Sequence, residues 1–339
     1  MQAEIAEQPG VWQLMLRRRD AFAETAGIVA AARPRFVLLA ARGTSDHAAL
    51  YAKYLIEIMH GLPAGLVSPS TLTAYGARPD LRDVLLLAVS QSGGSPDLVQ
   101  TVEAARNGGA LTLAVTNSPA SALAEAAELH LDIGAGPERA VAATKSYTAQ
   151  LLALYLLLDH VRGGTGDSAQ ALPEIGQSVM EQAGREMEAC AARYRFAQRL
   201  VVTGRGYAYP TAREAALKLM ETSYVSAQAF SGADLLHGPV AILDPQIPVL
   251  AVVPSGVAGA AMAQVLPRVR QARADLFVVG NPDAVAAADG GFALPSGVDE
   301  ALSPLLEILP FQLLALRLAV ARGEDPDAPR GLRKVTETV

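Results

Sequence analysis

The octapeptide Ser90-Gln91-Ser92-Gly93-Gly94-Ser95-Pro96-Asp97 packs three hydroxyls and an amide around two glycines. Ser95 is placed as a helix N-cap and Pro96 as the first helical residue, so the hydroxyls and the first-turn N–H groups converge as an anion cradle. No Gly-Lys-Ser/Thr follows, and a monophosphate is therefore the expected anion rather than a nucleoside triphosphate. An ordinary strand-to-helix turn with a good cap would use the same residue types. A second turn, Ala41-Arg42-Gly43-Thr44-Ser45-Asp46, offers Thr44 and Ser45 either to sugar hydroxyls or as caps of the next helix. In Glu214-Ala215-Ala216-Leu217-Lys218-Leu219-Met220-Glu221, Lys218 and Glu221 are three apart and share a helix face, an arrangement found most often in solvated surface pairs. Of the histidines at 47, 60, 130, 160 and 237, His237 is the best placed for proton transfer, in the loop Phe230 to Pro239; a hydrogen-bonded structural role fits it equally. Gly204-Arg205-Gly206 begins like a dinucleotide fingerprint, but Tyr209 stands where the third glycine belongs.

These turns need a scaffold, and the runs between them supply it. Arg35 to Ala40, Val84 to Val89 and Leu111 to Val115 are continuously apolar, the pattern of strands covered on both faces in a parallel sheet. Helices are expected over Asp46 to Met59 and Pro96 to Asn107, giving a β-α-β-α order and an α/β fold. Arg42-Gly43 returns as Arg205-Gly206 and Ser92-Gly93 as Ser255-Gly256, each 163 residues on (43 to 206, 92 to 255), and Asp275 to Asn281 echoes Leu111 to Asn117. The chain therefore reads as two copies of one domain. We place the first at 1–165 and the second at 166–322, each with a helical lead-in, that of the second running from about Pro173 to Phe196. The boundary falls in the turn-rich stretch Val161 to Ser168, and a polar tail, 323–339, follows the last long helix, Leu305 to Ala321.

Composition narrows the class further. With 339 residues, 51% hydrophobic and 18% charged, the chain can bury two cores and is not disordered. A net charge of −6 without a dense basic run argues against nucleic acid or an anionic membrane as partner. Cys190 is the single cysteine, so no internal disulfide can form and no cysteine/histidine cluster offers a structural metal site. The acidic start lacks a secretion signal, and apolar runs such as Leu151 to Leu158 fall short of the roughly 18–20 residues that span a bilayer. A cytoplasmic protein is expected.

Taken together, the motifs resemble one family closely: the tandem sugar isomerase (SIS) domains of glucosamine-6-phosphate synthase and the related stand-alone amino-sugar-phosphate deaminases. The likeness runs through Ile5-Ala6-Glu7-Gln8-Pro9, Gly43-Thr44-Ser45, Ser90-Gln91-Ser92-Gly93, Ala142-Ala143-Thr144-Lys145, Ala216 to Leu219 with Glu221, His237-Gly238-Pro239 and Pro329 to Lys334. It implies two three-layer αβα domains, each with a flavodoxin-like parallel sheet. It also implies a sugar phosphate held by Gly43, Thr44, Ser45, Ser90, Gln91, Ser92, Gly93, Ser95, Val141 and Ala143. Glu221 would move a proton between C1 and C2, His237 would assist ring opening, Lys218 would support Glu221, and Lys334 would face the sugar carbonyl as an amine of the kind that forms Schiff bases. The histidine loop would come from the second subunit of a homodimer, and no metal or redox cofactor would be needed.

Departures from the synthase pattern choose among the relatives. The synthases begin with a glutaminase domain that carries an N-terminal cysteine; here Met1 stands a few residues before the isomerase-like region and Cys190 lies deep inside, so glutamine hydrolysis by this chain alone is not expected. Gly94-Ser95-Pro96-Asp97 stands where the synthases have Glu-Thr, Ala143 replaces a serine and removes one hydroxyl, and the ending Lys334-Val335-Thr336-Glu337-Thr338 looks more like the deaminases. The implied reaction is conversion of glucosamine 6-phosphate and water to fructose 6-phosphate and ammonia. Amination of fructose 6-phosphate with ammonia or a separate glutaminase, deglycation of a fructosamine phosphate, and non-catalytic sensing of a sugar phosphate are the alternatives.

Overall fold

The computed structural model describes residues 1–334; the expectation drawn from Val335 to Thr338 lies outside them. Among the described residues, two five-stranded sheets carry the fold. The first contains β1 (Phe36–Ala40), β2 (Ala64–Leu66), β3 (Val84–Ser90), β4 (Leu111–Thr116) and β5 (Leu129–Asp132), in the order β2-β1-β3-β4-β5. The second contains β6 (Arg199–Gly204), β7 (Ser226–Ser231), β8 (Val249–Val253), β9 (Leu276–Gly280) and β10 (Gly290–Ala293), in the order β10-β9-β8-β6-β7. Every pairing is parallel. Counted from its own first strand, each sheet has the same order, the flavodoxin-like one, so the repeat read from the glycine turns is a repeat of topology.

The helices in chain order are α1 (Gln2–Arg17), α2 (Asp20–Ala32), α3 (Thr44–Met59), α4 (Pro69–Thr73), α5 (Pro96–Asn107), α6 (Ala122–Ala126), α7 (Lys145–Val161), α8 (Leu172–Tyr194), α9 (Ala208–Ser223), α10 (Gly232–Leu236), α11 (Val257–Ala261), α12 (Leu266–Gln271), α13 (Pro282–Ala286) and α14 (Ser303–Ala321). Two compact units result. One gathers 10–139, 145–170 and 333–334; the other gathers 1–9, 140–144 and 171–332.

In the unit built on β1 to β5, β3 is buried along nearly its whole length, as a central parallel strand covered by helices must be. The stripe Leu98, Val102 and Ala105 on α5 has the spacing of one helix face and closes a core with Leu86, Ala88 and Ala114. Truncating Leu98 to Ala would cost about 2–5 kcal/mol there. The register pairs Ala40 with Ala88 and Ser90 with Thr116, so β3 outruns β1 by two residues and the turns that follow the two strands come side by side. The chain leaves β1 toward β2 and returns across it to β3, which opens a crevice at the carboxyl edge between these two strands.

The other unit repeats the scheme with Val249, Ala251 and Val253 of β8 and Leu276 and Val278 of β9 packed under Met262, Leu266 and Val269. Its last helix corrects the expectation that no apolar segment reaches bilayer length. α14 is long and apolar enough to cross a membrane, yet 78% of its apolar window is buried inside the fold, where it packs on α8 and α9. Its hydropathy is that of a core helix.

Candidate active site

The crevice between β1 and β3 is lined by the two hydroxyl-bearing turns. Gly43 takes φ 54 and occupies the N-cap position, so Thr44 and Ser45 fall inside the first turn of α3 and are not its caps. Ser45 is buried and its Oγ accepts from Gln150 Nε2 on α7 at 2.9 Å. The two turns are tied to each other: Arg42 Nε donates to Asp97 Oδ2 at 2.8 Å, and its Nη2 stands 2.6 Å from the same oxygen. Asp97 is buried in the first turn of α5, so this pair fixes the spacing of the crevice walls.

Within the serine loop, Gly93 N–H donates to Ser90 Oγ at 3.0 Å and Gly94 N–H to Ser92 Oγ at 3.3 Å. Gly93 has φ 64, and a Cβ there would stand 2.2 Å from Ser121 Oγ, so only glycine fits. Ser95 is the N-cap of α5 and Pro96 its first residue, as the sequence indicates, but the Ser95 hydroxyl makes no capping bond. Gln91, Ser92 and Ser95 are half-buried and Gly94 is exposed at the positive end of a 12-residue helix. This arrangement can receive an anion from solvent.

The second unit holds Lys218, Glu221 and His237. Glu214, Lys218 and Glu221 recur along one face of α9, and the pair foreseen as a surface feature is largely withdrawn from water. The Lys218 side chain is fully buried, 3.4 Å from Glu214 Oε1 and in close contact with Glu221 Oε2. Burial works against the Lys218 ammonium, but Glu214 and then Glu221 outweigh it and raise its pKa above the ordinary lysine value. Glu221, at the last turn of α9, keeps 21% of its side chain exposed, so its carboxylate is both oriented by an ammonium and reachable. On α14, burial lifts Glu307 to about 7 against the bonds donated by Ser303 and Thr211 hydroxyls. His237 caps the C-terminus of α10, exposed; among the described residues its ring bonds to no side chain.

Val141 and Ala143 are half-buried in the segment 140–144. Ala140 N–H donates to Glu4 Oε1 at 3.2 Å, and Gln312 Nε2 donates to Thr144 O at 3.2 Å while accepting, through Oε1, from Gln8 Nε2 at 2.8 Å. The early motif Ile5 to Pro9 thus serves the loop that bears Val141 and Ala143. Lys334, in the first unit, places its Nζ 3.0 Å from Glu138 Oε2.

Three residues escaped the sequence reading. Glu214 was visible as a second carboxylate four residues before Lys218. Asp97 was visible as an acid in a capped first turn. Glu138 had a weaker signal, an acid next to Arg139 after the small-residue run Gly134-Ala135-Gly136-Pro137. Among the described residues no group of histidine, cysteine, aspartate and glutamate side chains gathers that could hold a metal ion.

Comparison with known proteins decides the family. The SIS domain model matches residues 32–159 and again 194–322. The chain belongs to the SIS domain family. This SIS protein is 36% identical over 356 aligned residues to the glutamine–fructose-6-phosphate aminotransferase (isomerizing) of Gloeobacter violaceus; the match covers 98% of the chain but 58% of that relative. Among solved structures, a Silicibacter pomeroyi DSS-3 protein described as a candidate phosphosugar isomerase superposes with TM-score 0.86 and 34% identity, over 96% of this chain and 98% of that one. The glucosamine-6-phosphate deaminase of Thermotoga maritima shares the fold with TM-score 0.80 at 21% identity, over 99% and 100% of the two chains.

Proposed function

We propose that this SIS protein is a phosphosugar isomerase that acts on an amino sugar phosphate and releases its nitrogen, converting glucosamine 6-phosphate and water to fructose 6-phosphate and ammonia. The observation that carries the reading is the buried Lys218 that pairs with both Glu214 and Glu221 and leaves the Glu221 carboxylate partly open. Aldose–ketose exchange needs one carboxylate that removes a proton from one carbon and returns it to the next. An ammonium beside it limits the charge that builds up in the transition state.

In this scheme Ser90, Gln91, Ser92 and Ser95 hold the phosphate, with Thr44 and Ser45 beside it, and His237 assists opening of the ring. Glu221 takes the C2 proton of the open aldehyde to give an enolamine. Protonation at C1 converts the enolamine to the imine of fructose 6-phosphate, and water adds at C2 as ammonia leaves. Lys334 faces the sugar carbonyl. A homodimer in which the second copy contributes His237 belongs to the same reading, as does a cytoplasmic setting.

A second reading is favoured by the 36% identity to an aminotransferase: amination of fructose 6-phosphate with free ammonia, the same steps in reverse. One set of incubations separates the two. Purified protein is given glucosamine 6-phosphate, galactosamine 6-phosphate, or fructose 6-phosphate with ammonia or with glutamine. Equimolar ammonia and ketose phosphate from an amino sugar phosphate is the expected result. Amino sugar formation alone would replace it with the second reading, and no turnover of any of these would overturn both.

A further inference from the structure

Glu138 lies between β5 and α7 with its side chain fully buried, in a position where a carboxylate costs several kcal/mol unless it is paired. It is well supplied. Ser146 N–H, in the first turn of α7, donates to Oε1 at 3.0 Å, Ser146 Oγ donates to Oε2 at 2.6 Å, and Lys334 Nζ donates to Oε2 at 3.0 Å. The two serine bonds are local and would serve a neutral acceptor as well. A further partner is a cation drawn from 196 residues along the chain, and a charged acceptor repays so distant a closure. Along the incoming tail, Gly331, Leu332 and Arg333 are exposed, and Lys334 is the residue turned inward. Both β5 and α7 meet this loop at the carboxyl edge of the first sheet, the edge that also carries the serine loop.

We propose that Glu138 is the docking point of the C-terminal tail: its buried carboxylate captures the Lys334 ammonium and fixes where that amine stands at the carboxyl edge of the sheet. It is a positioning residue that acts through Lys334. Its consequence for turnover rests on the function proposed above, whereas the dock itself does not.

The chain has four lysines, Lys53, Lys145, Lys218 and Lys334, which makes amine labelling readable. Brief acetylation of the whole protein, mapped by mass spectrometry with the partly exposed Lys53 as reference, measures the dock directly. Glu138→Gln keeps the shape and an acceptor for Ser146 N–H but presents no charge to Lys334. Lys334 is expected to label several times faster in E138Q than in the wild type, and trypsin is expected to cut sooner after Arg333. K334A, a change confined to the tail, should speed the trypsin cut at Arg330 to a similar degree even if E138Q folds poorly. Unchanged labelling in E138Q, or an unchanged cut in K334A, overturns the dock whatever the reaction is.

Turnover tests the positioning role. E138Q should lower kcat about 10- to 100-fold with little change in KM, the scale of a misplaced reacting group. Added to K334A, it should cause no further loss. Independent, additive losses would show a structural carboxylate and overturn the positioning role. Full activity in K334A would remove Lys334 from the proposed reaction and leave the labelling result to stand by itself.

Discussion

The turn after β3 and its counterpart after β8 begin alike, each with Ser-Gly at the repeat offset, and then diverge. After β3 the serine hydroxyls accept from N–H groups of their own loop, and a 12-residue helix follows behind the exposed Gly94. After β8 the helix is α11, five residues long, and Glu300 reaches across to accept from Val257 N–H at 3.0 Å and Ala258 N–H at 2.7 Å. The cavity beside it is only about 20 Å³. One copy keeps Gly94 exposed at its helix start, and the other covers its helix start with its own carboxylate.

The helix that follows the first strand shows the reverse bias. On α9 it carries Glu214, Lys218 and Glu221; the equivalent positions on α3 are Tyr51, Leu55 and Ile58. The backbone has kept what both copies need, including the positive φ of Gly43 (54) and Gly206 (55), while the side chains have diverged in a way that, under the proposed function, divides binding from proton transfer.

This division can be broken at several points, the largest effect first. Glu221→Gln should lower kcat by about 10² to 10⁴-fold, the range for loss of a general base, while inorganic phosphate or substrate still raises the melting temperature. A variant that turns over at the wild-type rate would remove proton transfer from the second copy.

Glu307→Gln bears on the same copy through stability. The folded carboxyl is raised to about 7, so it keeps its proton where the unfolded chain has already lost it. Its stabilising contribution is whole below the unfolded value near 4.5 and is lost as pH rises through 7. In urea unfolding the variant should match the wild type at pH 4 and exceed it at pH 8 by a few kcal/mol, since each tenfold change in the proton-binding equilibrium is worth about 1.4 kcal/mol. A deficit at pH 8 would mean that Glu307 works as an anion.

Gly93→Ala should raise KM for the sugar phosphate by about 10-fold with a smaller change in kcat, since the new Cβ displaces Ser121 and strains a left-handed backbone. The smallest effect belongs to the closed copy. Glu300→Ala should cost about 1 kcal/mol of stability, as loss of a helix cap does, and leave KM unchanged. A shift in KM there as large as that of Gly93→Ala would mean the two cradles are not divided in role.

Much of this was legible in the residues themselves. Strands β1, β3 and β4 announced themselves as continuous apolar runs and β9 as the echo of β4, and α5 has the expected bounds, Pro96 to Asn107. The outer strands did not: β2 has three residues, and β7 alternates in Ser226-Ala227-Gln228 as a half-covered edge. Thr44 and Ser45 looked like caps because their hydroxyls suit the role, but Gly43, with positive φ, takes the N-cap and α3 starts two residues sooner than expected. In the site, the serine loop and the Lys218–Glu221 pair could be read because their partners are neighbours in sequence. Glu138 and Glu300 could not, because each is defined by a partner far along the chain that only the fold brings near.

The most direct test is deuterium incorporation into fructose 6-phosphate in heavy water, followed by NMR at saturating substrate for the wild type and for Glu221→Gln. The division of roles predicts exchange in the wild type and none in the variant, with the variant still stabilised by the same ligand. Exchange at the wild-type rate in Glu221→Gln would contradict it.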